Sequence, residues 1–239
     1  MVKQLIEKIR LDVALFERGF VDSREKGKAL IMAGLVYVNN KKETKAGTFV
    51  KSEDCIELRG EKMPYVSRGG YKLAKAVDQF GLDLTDCICM DIGASTGGFT
   101  DCLLQRGAKK GYAVDAGVGQ LAKSLLANPA VVSIEKLNAR NLLPEHIDNT
   151  CVDLIVMDVS FISATYIIPQ FPALLAKDGE AVCLITPQFE VGRSMIGKGG
   201  IVRDKAAHID AIKRVCASAE SVGLTPTALI PSPIEGGDG

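Results

Sequence analysis

From residue 86 onward the chain alternates short apolar runs with amphipathic stretches. No other feature constrains its fold as strongly. Runs of strand length fall at 87–92, 111–115, 131–134, 152–157, 181–185 and about 224–230. Helical stretches lie between most of them, for example 119–127 and 204–221. Strands that alternate with helices assemble into a parallel sheet covered on both faces. The expected fold class for this part is therefore α/β.

The first 60 residues have another rhythm. Leu11, Leu15 and Phe16 recur at helical spacing, and Gly19 ends the run. Asp22-Ser23 can cap a second helix through Ala29, Leu30 and Ile31 that stops at Gly34. Leu35–Val38, Phe49-Val50 and Cys55–Leu58 read as short strands, with Asn39-Asn40 suited to a tight turn. The result is a small α+β unit over 1–60. A break follows at 61–70, where Pro64 and Gly69-Gly70 punctuate the chain, and the α/β unit is expected over 71–239. Charge divides in a similar way. Residues 1–72 hold 15 Lys/Arg against 10 Asp/Glu, and residues 73–239 hold 14 against 19. Net positive charge in the first segment and net negative charge in the second suggest separate roles.

Composition narrows the setting. No apolar run approaches the roughly 20 residues that span a bilayer, and the first residues lack the apolar core of a signal peptide. The seven cysteines are scattered, with no CxxC, which fits reduced thiols in the cytoplasm. Cys87 and Cys89 alternate on a strand and are expected in the core. His146 and His208 stand far apart, are expected at the surface, and suggest no metal site.

The chemistry-bearing residues cluster at expected strand ends. Asp91-Ile92-Gly93-Ala94-Ser95-Thr96-Gly97-Gly98-Phe99-Thr100 follows the first α/β strand and opens a helix. Its G-x-x-x-G-G spacing is neither a dinucleotide fingerprint nor a phosphate-binding P-loop. Glycines there let the backbone approach a ligand at the carboxyl end of the strand. Asp115 ends the second strand, where a carboxylate can accept the hydroxyls of a ribose. Asn138-Ala139-Arg140 follows the third strand, and Asp158 ends the fourth. Thr186–Glu190 and the glycine-rich stretch Gly192–Gly200 follow the fifth as a lid or a surface excursion.

Val66–Leu73, Asp91–Asp101, Met157–Phe161 and Pro187–Glu190 together resemble the TlyA family, the hemolysin A-like ribosomal RNA methyltransferases. Arg10-Leu11-Asp12, Ser23-Arg24, Ala29–Ile31, Gly34, Val36, Val38-Asn39 and Asp54 resemble an S4 domain. The resemblance covers nearly the whole chain. It implies an S4-type RNA-binding domain followed by a Rossmann-like, FtsJ-type domain that uses S-adenosyl-L-methionine. The implied reaction is methyl transfer to a ribose 2′-hydroxyl of ribosomal RNA, in the cytoplasm and without membrane insertion. The implied cofactor residues are Asp91, Gly93, Ser95, Gly97, Gly98, Phe99, Asp115 and Asn138. Arg10, Arg24, Lys26 and Lys28 are the candidates for RNA phosphates.

The resemblance also implies a Lys-Asp-Lys-Glu catalytic set. Lys72 stands at the first lysine and Asp158 at the aspartate. Thr186 occupies the position of the second lysine. The glutamate belongs to an Asn-x-Glu segment expected just past Gly239, and Glu235 is not its equivalent. These departures keep a second reading open, a chain that binds RNA and cofactor with a degenerate catalytic centre. A third, the lytic activity suggested by the family's hemolysin name, finds no strongly amphipathic cationic helix to support it.

Overall fold

A computed structural model describes residues 8–59 and 63–234. Residues 61 and 62, where the expected break begins, lie outside that range, as does Glu235. The chain divides into two compact units, Met1–Pro64 and Tyr65–Gly239.

In the first unit, β1 (Lys8–Arg10) leads directly into α1 (Leu11–Glu17), and α2 (Arg24–Met32) follows. Ser23 caps α2, its Oγ accepting from the Lys26 amide at 3.2 Å, as the Asp22-Ser23 pair predicts. The remaining strands are β2 (Val36–Val38), β3 (Lys41–Glu43), β4 (Phe49–Lys51) and β5 (Ile56–Leu58). They form an antiparallel sheet β3-β2-β5 and a separate pair β1-β4. Asn39 and Asn40, at φ +49° and +66°, make the turn between β2 and β3. Leu11, Ala14, Leu15, Ile31, Val36, Val50 and Ile56 form the core. The sequence reading missed β1 and β3, because three-residue strands of mostly charged residues leave no apolar alternation to read.

The second unit opens with α3 (Gly69–Phe80), which buries Leu73, Ala74 and Val77. Val66 is already tied to this unit, its amide donating to Asp101 Oδ2 at 2.7 Å. The order is then β6 (Ile88–Ile92), α4 (Gly98–Gln105), β7 (Lys110–Val114), α5 (Lys123–Leu126), β8 (Val131–Ile134), β9 (Val152–Met157), α6 (Phe171–Leu174), β10 (Leu175–Cys183), α7 (Pro187–Glu190) and α8 (Lys205–Ser221). All neighbours in the five-stranded sheet β10-β9-β6-β7-β8 are parallel. Alternate residues feed two cores. Met90, Ile92, Ile155 and Met157 pack on one side with Phe171, Leu174 and Val215. Cys89, Leu154 and Val156 pack on the other with Leu73, Val77, Phe99 and Leu103. Period-two burial on both faces explains the nearly continuous apolar runs of these strands.

Three expectations need correction. The helix read over 119–127 is reduced to α5, because Ala122 is extended (ψ 139°) and cannot join a helical turn to what precedes it. The fifth strand begins at Leu175 instead of 181, with a register irregularity before Glu180; only Glu180–Cys183 pairs continuously with Leu154–Met157. Residues 224–230 form no strand. Pro226 removes a ladder donor within this run. The segment after it lines a small apolar cavity with Ala181–Leu184 and α3, and Lys75 Nζ donates to the Pro231 carbonyl at 2.8 Å.

Candidate active site

Strand order reverses between β6 and β9, which is where open parallel sheets place their ligand crevice. A cleft of about 1830 Å³ lies there, lined by Gly93, Ser95, Asp115, Asn138 and Asp158 among others. Five residues expected at the site thus share one cavity wall. Val114, Leu137, Val159 and Ile162 add an apolar surface.

Asp115 follows β7. Its Oδ2 accepts from the Ser95 amide at 2.8 Å and its Oδ1 from the Gly117 amide at 2.7 Å. One bond to each oxygen fixes the carboxylate and leaves further lone pairs for hydroxyl donors. Asn138 accepts from the Arg140 amide at 3.1 Å, leaving its side-chain NH₂ group to donate. At Gly93 a Cβ would stand 2.4 Å from the Asp158 carbonyl oxygen. The bare backbone therefore permits the two loops to touch.

Asp91, in β6 two residues before Gly93, is buried. Its Oδ2 accepts from the Thr100 amide and hydroxyl at 2.8 and 2.7 Å, while Oδ1 has no partner. Burial pushes this carboxyl up to about 7, against the opposing pull of Thr100. Gly97, Gly98 and Phe99 do not line the cleft. A Cβ on Gly97 would strike Leu125, and one on Gly98 would strike Ser67 Oγ and the Gly70 amide. Those two glycines serve close packing of the chain upon itself. Phe99 is a core residue.

Lys72, on α3, reaches the end of β9, with Nζ 2.7 Å from Asp158 Oδ2. Both side chains are about one-quarter exposed. The aspartate is held in turn by its amide, which donates to the Ile92 carbonyl at 3.1 Å. Residues 86 positions apart thus form one ion pair.

Two residues quoted only as parts of motifs also belong to this site. Phe161 is 92% exposed and sits at φ +65°, with its ring centroid 5.4 Å from that of Phe189. An aromatic residue in a polar loop just after a strand-end aspartate was the available clue. Glu190 is buried and accepts from Ser163 Oγ at 2.5 Å and from the Ala164 amide at 2.8 Å. It fastens the loop after β9 to α7. Nothing in the sequence pairs Glu190 with Ser163, because the bond depends on how two distant loops meet. Thr186 directly precedes α7.

In the first unit, Arg10 and Arg24 both bond to the buried Asp12, and Lys26 pairs with Asp22 at 2.7 Å. Lys28 is exposed on α2. The Arg10 and Arg24 guanidinium groups hold the Asp12 carboxyl down at about 2. Cys89 is buried and Cys87 half-buried, whereas His146 and His208 are exposed. No helix among the described residues is long and apolar enough to cross a membrane.

A parallel α/β sheet with strand-end carboxylates around a cleft at its switch point places the second unit in the Rossmann-like class of folds. Residues 65–239 match the FtsJ-like methyltransferase profile, and residues 9–56 match the S4 domain. The chain belongs to the TlyA family, which joins these two parts. It is 45% identical to the Bacillus subtilis YqxC protein, named as a candidate rRNA methyltransferase, over 98% of this chain and 83% of that one. It is 38% identical to the Mycobacterium tuberculosis 16S/23S rRNA (cytidine-2'-O)-methyltransferase TlyA, over 98% and 88%. A solved structure of a candidate hemolysin from Streptococcus thermophilus superposes with a TM-score of 0.75 at 42% identity, covering 97% of this chain and 85% of that one.

Proposed function

We propose that this chain methylates a ribose 2′-hydroxyl of ribosomal RNA, with S-adenosyl-L-methionine as donor. The observation that carries the reading is the Lys72–Asp158 ion pair, whose aspartate opens onto the same cleft as Asp115. The relatives named as rRNA methyltransferases supply the substrate class.

The residues present fit the donor. Asp115 has acceptor capacity for its ribose hydroxyls, and Asn138 and the apolar wall suit its base. Gly93 and Ser95 line the cleft for the remainder, and Asp91 keeps one oxygen unpartnered at the end of β6, two residues before Gly93. When bound, the donor supplies an electrophilic methyl group on sulfur.

The protein's own task is to make a hydroxyl nucleophilic and hold it in line. Lys72 would stabilise the hydroxyl oxygen as its proton passes to water in the open cleft, and Asp158 would hold the Lys72 ammonium in place. The first unit contributes RNA affinity through Arg10, Arg24, Lys26 and Lys28, and the second contributes transfer.

Tritiated methyl transfer to ribosomal subunits, followed by mapping of the methyl group, tests the reading. Asp158→Asn and Lys72→Ala should each lower the rate by about 10²–10³ while S-adenosylhomocysteine still binds. Full activity in either variant, or methyl on a base, rejects it. Thr186 supports a second reading, binding without transfer, because a hydroxyl there supplies no charge. Wild-type chain that binds RNA and S-adenosylhomocysteine yet transfers nothing, and that gains transfer on Thr186→Lys, would favour this reading.

A further inference from the structure

We infer that Asp12 is a positioning residue that sets Arg10 and Arg24 as a paired guanidinium site for a single RNA backbone phosphate. The inference rests on the RNA-binding reading of the first unit and adds the device that organises it. Asp12 lies in the first turn of α1 with its side chain only 5% exposed. Two arginines from different elements converge on it. Arg10, at the end of β1, donates Nε to Oδ1 at 2.9 Å and Nη2 to Oδ2 at 3.1 Å. Arg24, the first residue of α2, donates Nη2 to that same Oδ2 at 3.1 Å. The two Nη2 atoms are therefore separated by no more than about twice one hydrogen-bond length. That is close enough for one phosphate to meet both cations.

The arginines are not consumed by the contact. Arg10 commits two of its five N–H groups to Asp12, and Arg24 commits one. Their side chains remain 47% and 53% exposed. Arg18 shows the contrasting case of a half-buried guanidinium turned onto the backbone of its own fold, donating to the Asp54 and Lys51 carbonyls at 2.8 and 2.6 Å. With two cations on one carboxylate, the site keeps a net positive charge and an outward face of donors. A long side chain loses considerable rotamer freedom when it docks a ligand. Here Asp12 has already fixed both arginines before RNA arrives.

The test turns on a sign. Counting charge alone, removing an acid from an RNA-binding face adds one positive charge and tightens binding. The positioning role predicts the reverse. Fluorescence anisotropy of labelled ribosomal RNA fragments with the full chain, at several salt concentrations, would compare Asp12→Asn with Arg10→Ala, Arg24→Ala and the double arginine variant. Asp12→Asn should weaken binding about tenfold, the equivalent of reordering two long side chains. In the double arginine background it should change nothing further. Methyl-transfer kinetics should show a raised KM for RNA with unchanged kcat. Melting curves and S-adenosylhomocysteine affinity identify any variant whose loss reflects unfolding; if Asp12→Asn does not fold, Asp12→Glu, which keeps the charge but displaces the carboxylate, serves in its place and must bind RNA more weakly than wild type. Equal or tighter binding by a folded Asp12→Asn, while the arginine variants bind weakly, overturns the role of Asp12. Arginine variants that bind like wild type overturn the RNA reading of this face instead.

Discussion

Replacing Glu190 by alanine should loosen the rim of the cleft, and the structure sets the size of the effect. Glu190 accepts two hydrogen bonds, from Ser163 Oγ and from the Ala164 amide. Hydrogen bonds to charged groups contribute about 1.5–3 kcal/mol each. One loss is recoverable, because the Ser163 hydroxyl also lies 2.7 Å from Thr165 Oγ1 and can turn to it. The other is not, because Ala164 is only 1% exposed and its amide would be left buried without an acceptor. An orphaned buried donor costs about 1–3 kcal/mol, so the total should be about 2–4 kcal/mol. For a unit of this size each kcal/mol moves the midpoint by about 2–4 °C, giving a fall in Tm of roughly 5–15 °C. Glu190→Gln should lose less than half as much, since its amide can accept from Ala164 and donate to Ser163. Thermal and urea unfolding of the full chain would measure both. A Glu190→Ala variant within about 0.5 kcal/mol of wild type, the range of an ordinary surface substitution, would refute the claim that this carboxylate holds the two loops together.

Asp91 should make stability depend on pH. Its carboxyl is raised from the ordinary 3.8 to about 7 in the folded chain, so its contribution is fully present below about 3.8 and is lost as pH rises through 7. The ceiling is about 4 kcal/mol; urea midpoints at pH 5.5 and 8.5 should diverge in wild type and converge in Asp91→Asn, and equal slopes would remove Asp91 as the cause. Asp115→Ala should weaken S-adenosylhomocysteine binding by at least tenfold in calorimetry, and unchanged affinity would take this carboxylate out of the cofactor site. Phe161→Ala should leave stability within about 0.5 kcal/mol, because its side chain is exposed; a large fall in Tm would show that the ring is structural.

The architecture was legible wherever burial is periodic. Met90 and Ile155 face one core and Cys89 and Leu154 the other, and that regularity is visible as apolar runs. It failed at 224–230, where an apolar composition lacks a paired strand and Pro226 interrupts the donors. At the site, Asp115 and Asp158 were readable because each ends a strand. Gly97 and Gly98 were readable as necessary but not for what they touch, since the residues they accommodate, Leu125 and Ser67, come from elsewhere in the chain. The Glu190–Ser163 bond and the shared grip of Asp12 on two arginines are products of tertiary geometry, for which no spacing rule exists.

The contact between Gly93 and the Asp158 carbonyl also limits how the sequence can drift. Most crowding in a protein can be relieved by trimming the neighbour, so a harmful substitution can be rescued by a second one. At Gly93 the obstructing atom belongs to the main chain, which every amino acid carries, and the residue itself sits at φ +85°. No replacement at position 158 removes that oxygen. A suppressor screen begun from Gly93→Ala should therefore return reversion to glycine.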